Sequence, residues 1–343
     1  MGIYRFLLAI LVAASHIDMM IYGYDEGVVA VISFMLLSGY VMMLLIDRHY
    51  PEPRHARRFY LDRLGRLLPQ FLFYSVVVLA LLQFSRLGVA TLPWMQYKNC
   101  PTSLIFLNFS LIGNNFYRVL GNCMLLPASW SLGLEASFYA IAPLVLCRVN
   151  HLARALALPL SGAFFVLAYF GVLDSDLYGY RFIPGTLFIF ATGAALAKPS
   201  LFATRAAASV WLFALVLFAV AWFSPTIYAR PYNKEVLLGI LAGIPALKLL
   251  ATLKFSDLDE VLGNLSYGVF LNHILLVWCA DEYLGVRSWN LESFAALMIC
   301  ASLAATASFY LVERPALRWR RRIRNAQHAG NLGLIESKAA IAG

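Results

Sequence analysis

The chain has 343 residues, of which 61% are hydrophobic and only 13% are charged. Apolar stretches of about 20 residues recur along it, the length that crosses the hydrocarbon core of a bilayer as a helix. This composition excludes a soluble protein. The net charge of +9 does not indicate nucleic-acid binding, because the positive residues lie beside apolar stretches, where they set membrane orientation.

We predict an all-α, polytopic membrane helical bundle with about ten transmembrane helices and both termini in the cytoplasm. The first apolar segment is interpreted as a retained span and not a cleaved signal peptide, because it continues past the small residues Ala13 and Ala14. The ten predicted spans are residues 3–22, 27–46, 67–84, 129–148, 155–173, 182–198, 206–224, 235–253, 264–281 and 292–312.

The positive-inside rule decides the topology at one ambiguous segment, 102–116, which is apolar but short. If this segment does not cross the membrane, most of the 27 Lys and Arg lie on the cytoplasmic side. If it crosses, the bias reverses, so we expect a re-entrant or interfacial piece of a long outer loop. Residues 1–317 are predicted to form one transmembrane domain, and 318–343 a basic, partly disordered cytoplasmic tail on the anionic lipid surface.

The five cysteines show no spacing typical of a metal site. They are interpreted as packing residues, with one alternative left open. Cys100 and Cys123 belong to the same predicted outer loop and could form a disulfide if that loop is extracytoplasmic.

The first span carries two ionisable residues, Arg5 and His16, eleven positions apart. Eleven helical steps return to within about 20° of the same face and rise about 16 Å, roughly half the hydrocarbon thickness. Ionisable groups at such depth usually face a bundle interior or a wet cavity. The alternative is an arginine extended to the membrane surface and a hydrogen-bonded core histidine.

A buried carboxylate, Glu135, is predicted at the same depth as His16, six residues into the fourth span. A glutamate beside a histidine orients the ring and stabilises its protonated form, the relation that a general base needs. We therefore expect Glu135 to contact His16. The alternative is a carboxylate that serves helix packing.

Arg63 and Arg66 are three residues apart on an amphipathic helix predicted to end near Pro69, so they share a face. Paired guanidinium groups near a membrane surface suit a ligand with several phosphates. Contact with lipid head groups is the alternative.

Two further polar positions are interpreted as structural from the sequence alone. His273 lies near the middle of the ninth span, where a lone histidine is more often a helix contact than a catalyst. Glu313 and Arg314 precede Pro315, a helix breaker, and are interpreted as a charged end of the tenth span.

Six motifs follow one another in the order of a known family. They are Arg5 and His16 separated by ten residues; FMLLSGY at 34–40; Phe59-Tyr60 with Arg63, Arg66 and Pro69; Trp130-Ser131-Leu132 with Glu135, Phe138-Tyr139 and Pro143; Ser266-Tyr267 with Phe270-Leu271 and His273; and Glu313-Arg314-Pro315. On these motifs the chain resembles the membrane-bound acyltransferase-3 family, which O-acylates sugars and other acceptors.

The resemblance implies an acyl-CoA donor, usually acetyl-CoA, reached from the cytoplasm, and no permanently bound cofactor. It implies His16 and Glu135 as catalytic residues and Arg5, Arg63 and Arg66 at the donor. Residues with a substrate-contacting or structural role are Ser38, Trp130, Ser131, Tyr267, His273, Glu313 and Arg314. The expected acceptor is a glycan or lipid-linked sugar at the bacterial inner membrane. The chain departs from the family pattern at Asn272, where an aromatic residue is common.

Three other functions remain open at this point. An acyltransferase with a non-carbohydrate acceptor would carry the same motifs. A proton-coupled transporter could use His16 and Glu135 as a proton relay, although no internal repeat is apparent. A structural partner in an export complex has no specific support. The oligomeric state is not indicated by the sequence.

Overall fold

The computed structural model describes residues 1–52, 55–84, 99–146 and 151–319, without the side chains of 151–155. Over these ranges the backbone forms helices, turns and connecting segments, and its one β-type contact is an isolated bridge between Ile21 and Tyr24. The all-α prediction is therefore confirmed. Of the predicted tail, 318–343, only Arg318 and Trp319 belong to the described residues, and the rest of that prediction lies outside them.

The helices of the described ranges are numbered in chain order. They are α1 (Gly2–Ser15), α2 (Glu26–His49), α3 (Ala56–Phe84), α4 (Thr102–Leu107), α5 (Tyr117–Leu120), α6 (Ser129–Leu146), α7 (His151–Tyr169), α8 (Ile183–Leu196), α9 (Leu201–Trp222), α10 (Pro225–Tyr228), α11 (Asn233–Leu250), α12 (Asp257–Leu284) and α13 (Leu291–Ser308). Two 3₁₀ turns (Gly113–Asn115, Gly121–Cys123) and two π-helical turns (Leu177–Arg181, Phe309–Glu313) lie between or after them.

Each predicted span coincides with one of the longer helices: α1 to α3, α6 to α9, and α11 to α13. Six helices of the described residues are long and apolar enough to cross a membrane, namely α2, α3, α6, α9, α12, and α13 with its continuation to Trp319. The protein is thus a multi-pass membrane protein. The count of ten crossings and the cytoplasmic position of both termini stay predictions.

Helix α2 packs against α1, α8 and α11. Two glycines bring α2 and α8 together: a Cβ on Gly39 would lie 1.8 Å from the Phe190 carbonyl oxygen, and one on Gly193 would lie 1.8 Å from that of Leu36. A Cβ cannot approach backbone so closely, so this helix contact requires glycine. The contact fixes the position of Ser38, the neighbour of Gly39 that faces the site described below.

The predicted first span, 3–22, is wrong at its C-terminal end. Helix α1 stops at Ser15, and His16 is its cap. Asp18 and Tyr22 have positive φ angles of 58° and 52°, which a right-handed helix cannot contain. His16 therefore lies at the end of a helix and not within a longer one.

Two predicted helix ends at prolines are also wrong. Helix α3 continues through Pro69 to Phe84, because neighbouring helices in a bundle can satisfy the backbone group that a proline leaves free. Helical structure continues past Pro315 to Trp319. The π-helical turn directly before Pro315 changes the hydrogen-bond pattern that a proline would otherwise interrupt.

The segment 102–116 does not form a membrane-spanning helix. It holds the six-residue helix α4 and a 3₁₀ turn, whereas a span needs about 20 residues. A disulfide joins Cys100 to Cys123, which the sequence left open. The Asn108 side chain donates to the Cys123 carbonyl oxygen at 2.8 Å and accepts from the Leu125 amide at 2.7 Å. The loop is thereby folded back on itself.

This loop covers the end of the bundle at which α1 terminates, since Tyr117 and Met124 line a cavity together with His16. We call it the disulfide end. At the opposite end of α1 the Met1 amino group donates to Asp259 at the start of α12, at 2.7 Å. We call that the Met1 end.

Candidate active site

Two cavities adjoin one another, with walls built largely from α1, α2, α6 and α12. The first, which we call the arginine cavity, has a volume of about 320 Å³. The predicted site residues in its lining are Arg5, Ser38, Arg63, Arg66, Ser131, Glu135 and Tyr267. The second, which we call the histidine cavity, has a volume of about 410 Å³ and is lined by His16, Trp130 and Ser131, among others.

Two of the three arginines in the arginine cavity are paired with acids. Arg63 is buried and forms an ion pair with its neighbour Asp62. Its guanidinium lies 5.9 Å from the ring centre of Tyr139, a distance at which a cation and an aromatic face attract. The predicted shared face of Arg63 and Arg66 is confirmed, since both side chains line the same cavity.

Arg66 connects α3 to the end of the chain's helical part. It pairs with Glu313, which is only 2% exposed, and its guanidinium lies 5.5 Å from the ring centre of Tyr267. The Tyr267 hydroxyl donates to the Leu67 carbonyl oxygen at 2.8 Å. Glu313 thus holds Arg66 in place, whereas Arg314 is exposed, lies over Tyr310 and lines neither cavity.

Arg5 differs from the other two arginines. Within the described residues its guanidinium has neither an ion pair nor a hydrogen bond. Arg63 and Arg66 are paired with acids, so Arg5 is the arginine of this cavity whose guanidinium has no acid within ion-pair distance among the described residues. An anionic ligand in this cavity would meet three guanidinium groups, although the Glu135 carboxyl group also belongs to the lining.

Glu135 binds hydroxyl groups and not His16. Its Oε1 accepts from the Ser38 hydroxyl at 2.6 Å and from the Tyr139 hydroxyl at 2.5 Å. Glu135 lines the arginine cavity and His16 lines the histidine cavity. The expected contact between the two side chains is therefore corrected: Glu135 projects from α6 toward α2, whereas His16, at the end of α1, contacts α12.

The residue that contacts His16 is His273 of α12. His273 Nε2 lies 3.4 Å from His16 Nδ1, and the ring centres are 5.1 Å apart. This pairing follows from the packing of α1 along α12. His273 was interpreted as a helix contact, and it is fully buried, but the helix it contacts ends in the predicted catalytic residue.

Hydrogen bonds to backbone carbonyls fix the neutral tautomer of both rings. His16 Nδ1 lies 2.7 Å from Val12 O, and His273 Nδ1 lies 3.1 Å from Val269 O. A carbonyl oxygen only accepts, so each Nδ1 carries the hydrogen. Each Nε2 then has a free lone pair. That of His273 faces His16, and His16 Nε2 remains available to a ligand of the histidine cavity.

Arg181 is a prominent residue of the histidine cavity that the sequence analysis missed. Its guanidinium donates to Asp176 at 2.5 Å and is surrounded by aromatic rings. The ring centres lie 4.2 Å (Trp130), 4.9 Å (Tyr117), 5.0 Å (Tyr180) and 5.3 Å (Tyr232) away. No local spacing marks this cluster, because its members come from four separate segments of the chain.

The loop at the disulfide end contributes a neutral donor to the same cluster. Tyr117 donates to Asp176, and burial raises the pKa of Tyr117 to about 12. The hydroxyl therefore stays protonated near neutral pH. Arg118 next to it hydrogen-bonds to Asp174 at 2.6 Å and lowers the pKa of that carboxyl group.

The profile of the acyltransferase 3 family, described as an acyltransferase domain, matches residues 3–314. The chain belongs to the acyltransferase 3 family. An uncharacterized protein of Aquifex aeolicus (strain VF5) is similar to this acyltransferase 3 protein, with 32% identity over 189 residues that cover 52% of this chain and 82% of that protein. No solved structure matches the chain. With its membrane-spanning helices, the protein is a membrane acyltransferase.

We predict that the ion pair between Arg66 and Glu313 stabilises the bundle. Glu313→Gln removes the charge partner of a partly buried guanidinium, and breaking a buried pair in this way costs about 3–5 kcal/mol. The thermal midpoint in detergent should fall by several degrees. Glu292→Gln, at an exposed position of α13, is the matched control and should change it little.

A double-mutant cycle with Arg66→Gln separates this pair from general damage. We expect the double variant to be less destabilised than the sum of the two single variants. Strictly additive losses would contradict the proposed coupling.

Proposed function

We propose that this protein transfers an acyl group, most simply acetyl, from acyl-CoA to a hydroxyl group of a sugar in a bacterial surface polysaccharide or its lipid-linked precursor. The observation that carries the proposal is the adjacency of the two cavities, one lined by three arginines and the other by an imidazole with a free Nε2. Family membership supports the reaction class.

The arginine cavity suits the donor. Coenzyme A carries phosphate groups, and guanidinium groups bind phosphate oxygens through two parallel hydrogen bonds. Arg5 has no acid within ion-pair distance among the described residues. The Nε atom of Arg63 is buried and has no hydrogen-bond partner among the described residues. We assign these three arginines to the phosphate-bearing part of acyl-CoA, with no permanently bound cofactor.

The disulfide supports the orientation. Disulfides persist in oxidising compartments and are rare in the cytosol, so the disulfide end with Cys100 and Cys123 is placed outside the cytoplasm. The Met1 end then faces the cytoplasm, where acyl-CoA is made. We place the protein in the bacterial inner membrane, with the acceptor glycan reaching the histidine cavity from the disulfide end.

His16 acts as the general base in direct transfer. Its Nε2 takes the proton of the acceptor hydroxyl as the oxygen attacks the thioester carbonyl. The carbon–sulfur bond breaks, and the proton passes to the departing thiolate, which leaves as free CoA. General base catalysis contributes about 10²- to 10⁴-fold. The competing mechanism is an acyl-His16 intermediate, in which labelled acyl group would stay on the protein when acceptor is absent.

His273 is assigned as a positioning residue for His16, the role that was predicted from the sequence for Glu135. When His16 takes a proton, its Nδ1–H becomes a stronger donor, and this hydrogen is shared between Val12 O at 2.7 Å and the lone pair of His273 Nε2 at 3.4 Å. Hydrogen bonds of catalytic groups often shorten only in the substrate complex. Glu135 instead holds Ser38 and Tyr139 beside the donor.

The first prediction from the proposed function concerns His16. Membranes with the intact protein should release free CoA from acetyl-CoA when a glycan extract is present, and His16→Ala should lower this rate at least about 100-fold at equal expression. His49→Ala, at a histidine that lines neither cavity, is the control. A transporter would release no CoA, and release that is indifferent to His16 would contradict the catalytic assignment.

The second prediction concerns His273. A hydrogen bond to a charged group contributes about 1.5–3 kcal/mol, so His273→Leu should lower kcat by about 10- to 100-fold. The KM for acyl-CoA should not change, since His273 does not line the arginine cavity. His273→Gln, which keeps an acceptor atom near the Nε2 position, should recover most of the loss. Equal losses in both variants, or a rise in KM alone, would argue for a purely structural role.

A further inference from the structure

Three residues line both cavities: Val31 of α2, Ser131 of α6 and Phe270 of α12. They come from three different helices and meet where the arginine cavity adjoins the histidine cavity. Anything that passes between the two spaces must pass these side chains. The function proposed above requires the two substrates to meet at this junction, because the thioester carbonyl has to reach a hydroxyl held beside His16.

Neighbouring groups restrict the rotation of all three side chains. Val31 and Phe270 are buried, at 6% and 8% exposure, and a β-branched valine has little freedom about χ1. The Phe270 ring packs edge-on against Phe34, with centres 6.3 Å apart, and lies 6.2 Å from the His273 ring. The Ser131 hydroxyl donates to Ala128 O at 3.1 Å. The junction therefore cannot widen through the rotation of one loose side chain.

The direction of the bound donor follows from the charges. With its phosphates on the arginines, CoA fills the arginine cavity, and its sulfur points toward the junction. The acyl chain extends from the carbonyl carbon on the side away from the sulfur. During transfer the carbonyl carbon lies at the junction, within reach of a hydroxyl beside His16, so the first carbons of a longer acyl chain would lie against Val31, Ser131 and Phe270.

We propose that Val31, Ser131 and Phe270 form a constriction that selects the acyl group by size, admitting acetyl and rejecting longer chains. The proposal rests on the function proposed above and adds the determinant of donor specificity. A methylene that a pocket cannot accept lowers kcat/KM by about 10- to 200-fold. Butyryl-CoA should therefore be a far poorer donor than acetyl-CoA for the intact protein.

The test compares the donor preference of two variants in which the same change, valine to alanine, is made at different positions of α2. Val31→Ala removes two carbon atoms at the junction. Val41→Ala makes the same change in the arginine cavity alone, ten residues along the same helix and thus about 15 Å nearer the Met1 end. The measured quantity is kcat/KM for acetyl-, propionyl- and butyryl-CoA, obtained from the release of free CoA by the full-length protein in membranes.

We expect Val31→Ala to raise the ratio of butyryl to acetyl transfer at least about 10-fold, and Val41→Ala to leave it within about twofold. Phe270→Leu is a second variant at the junction and should shift the ratio in the same direction if Val31→Ala fails to fold. A ratio is insensitive to the amount of active protein, so partial loss of folding does not imitate the effect.

The possible results distinguish the proposed constriction from the proposed acyltransferase function on which it rests. An unchanged ratio in both junction variants, with release that still depends on His16, would overturn the constriction and keep the acyltransferase. An equal rise in Val41→Ala would overturn its location at the junction. Release that no acyl-CoA supports would overturn the proposed function and the constriction together.

Discussion

Burial of charged groups between apolar helices is the constraint on which the site depends. An ionised side chain taken out of water is costly unless an opposite charge or hydrogen bonds replace its hydration. Arg63 and Arg66 meet this requirement with Asp62 and Glu313. Arg5 has no such partner among the described residues. A guanidinium group that has no ion-pair partner beside a cavity is one that a phosphate of a ligand can pair with, which is the physical basis for assigning an anionic donor here.

Hydrogen bonding to the backbone also explains why two histidines can share the interior. Each is neutral in the tautomer that its preceding helical turn dictates, because each Nδ1 donates to the carbonyl four residues earlier. Neither ring then needs a carboxylate. His16 differs from His273 in one respect that matters for chemistry, since it borders a cavity, whereas His273 is fully enclosed. One ring can reach a substrate, and the other can act only through its neighbour.

The sequence was sufficient for features that depend on local order. Apolar length predicted the helices, and the three-residue spacing of Arg63 and Arg66 placed both at one cavity. The sequence was not sufficient for features that depend on contacts between distant segments of the chain. His16 and His273 are 257 positions apart, and depth along a helix could not distinguish His273 from Glu135 as the partner. The cluster around Arg181 was missed for the same reason.

Helix ends were the other weak point, for reasons of backbone chemistry. Asp18 and Tyr22, in the segment that follows α1, have positive φ, and neither is a glycine, which would have indicated the end of the helix. Pro69 and Pro315 indicated breaks that do not occur, because a bundle interior and a π-helical turn accommodate the missing hydrogen bonds. Apolar pattern predicts that a segment is buried, and local hydrogen bonding decides where it stops.

In the proposed mechanism, the two cavities form one route for an acyl group from the Met1 end to the disulfide end. The most direct test uses sealed vesicles that carry the protein in one or the other orientation. Glycan acceptor is enclosed inside the vesicles, and acetyl-CoA is added only outside. The account predicts His16-dependent release of CoA, with acylated glycan inside, only in vesicles whose outer surface carries the Met1 end. Equal release when acetyl-CoA reaches only the disulfide end would contradict it.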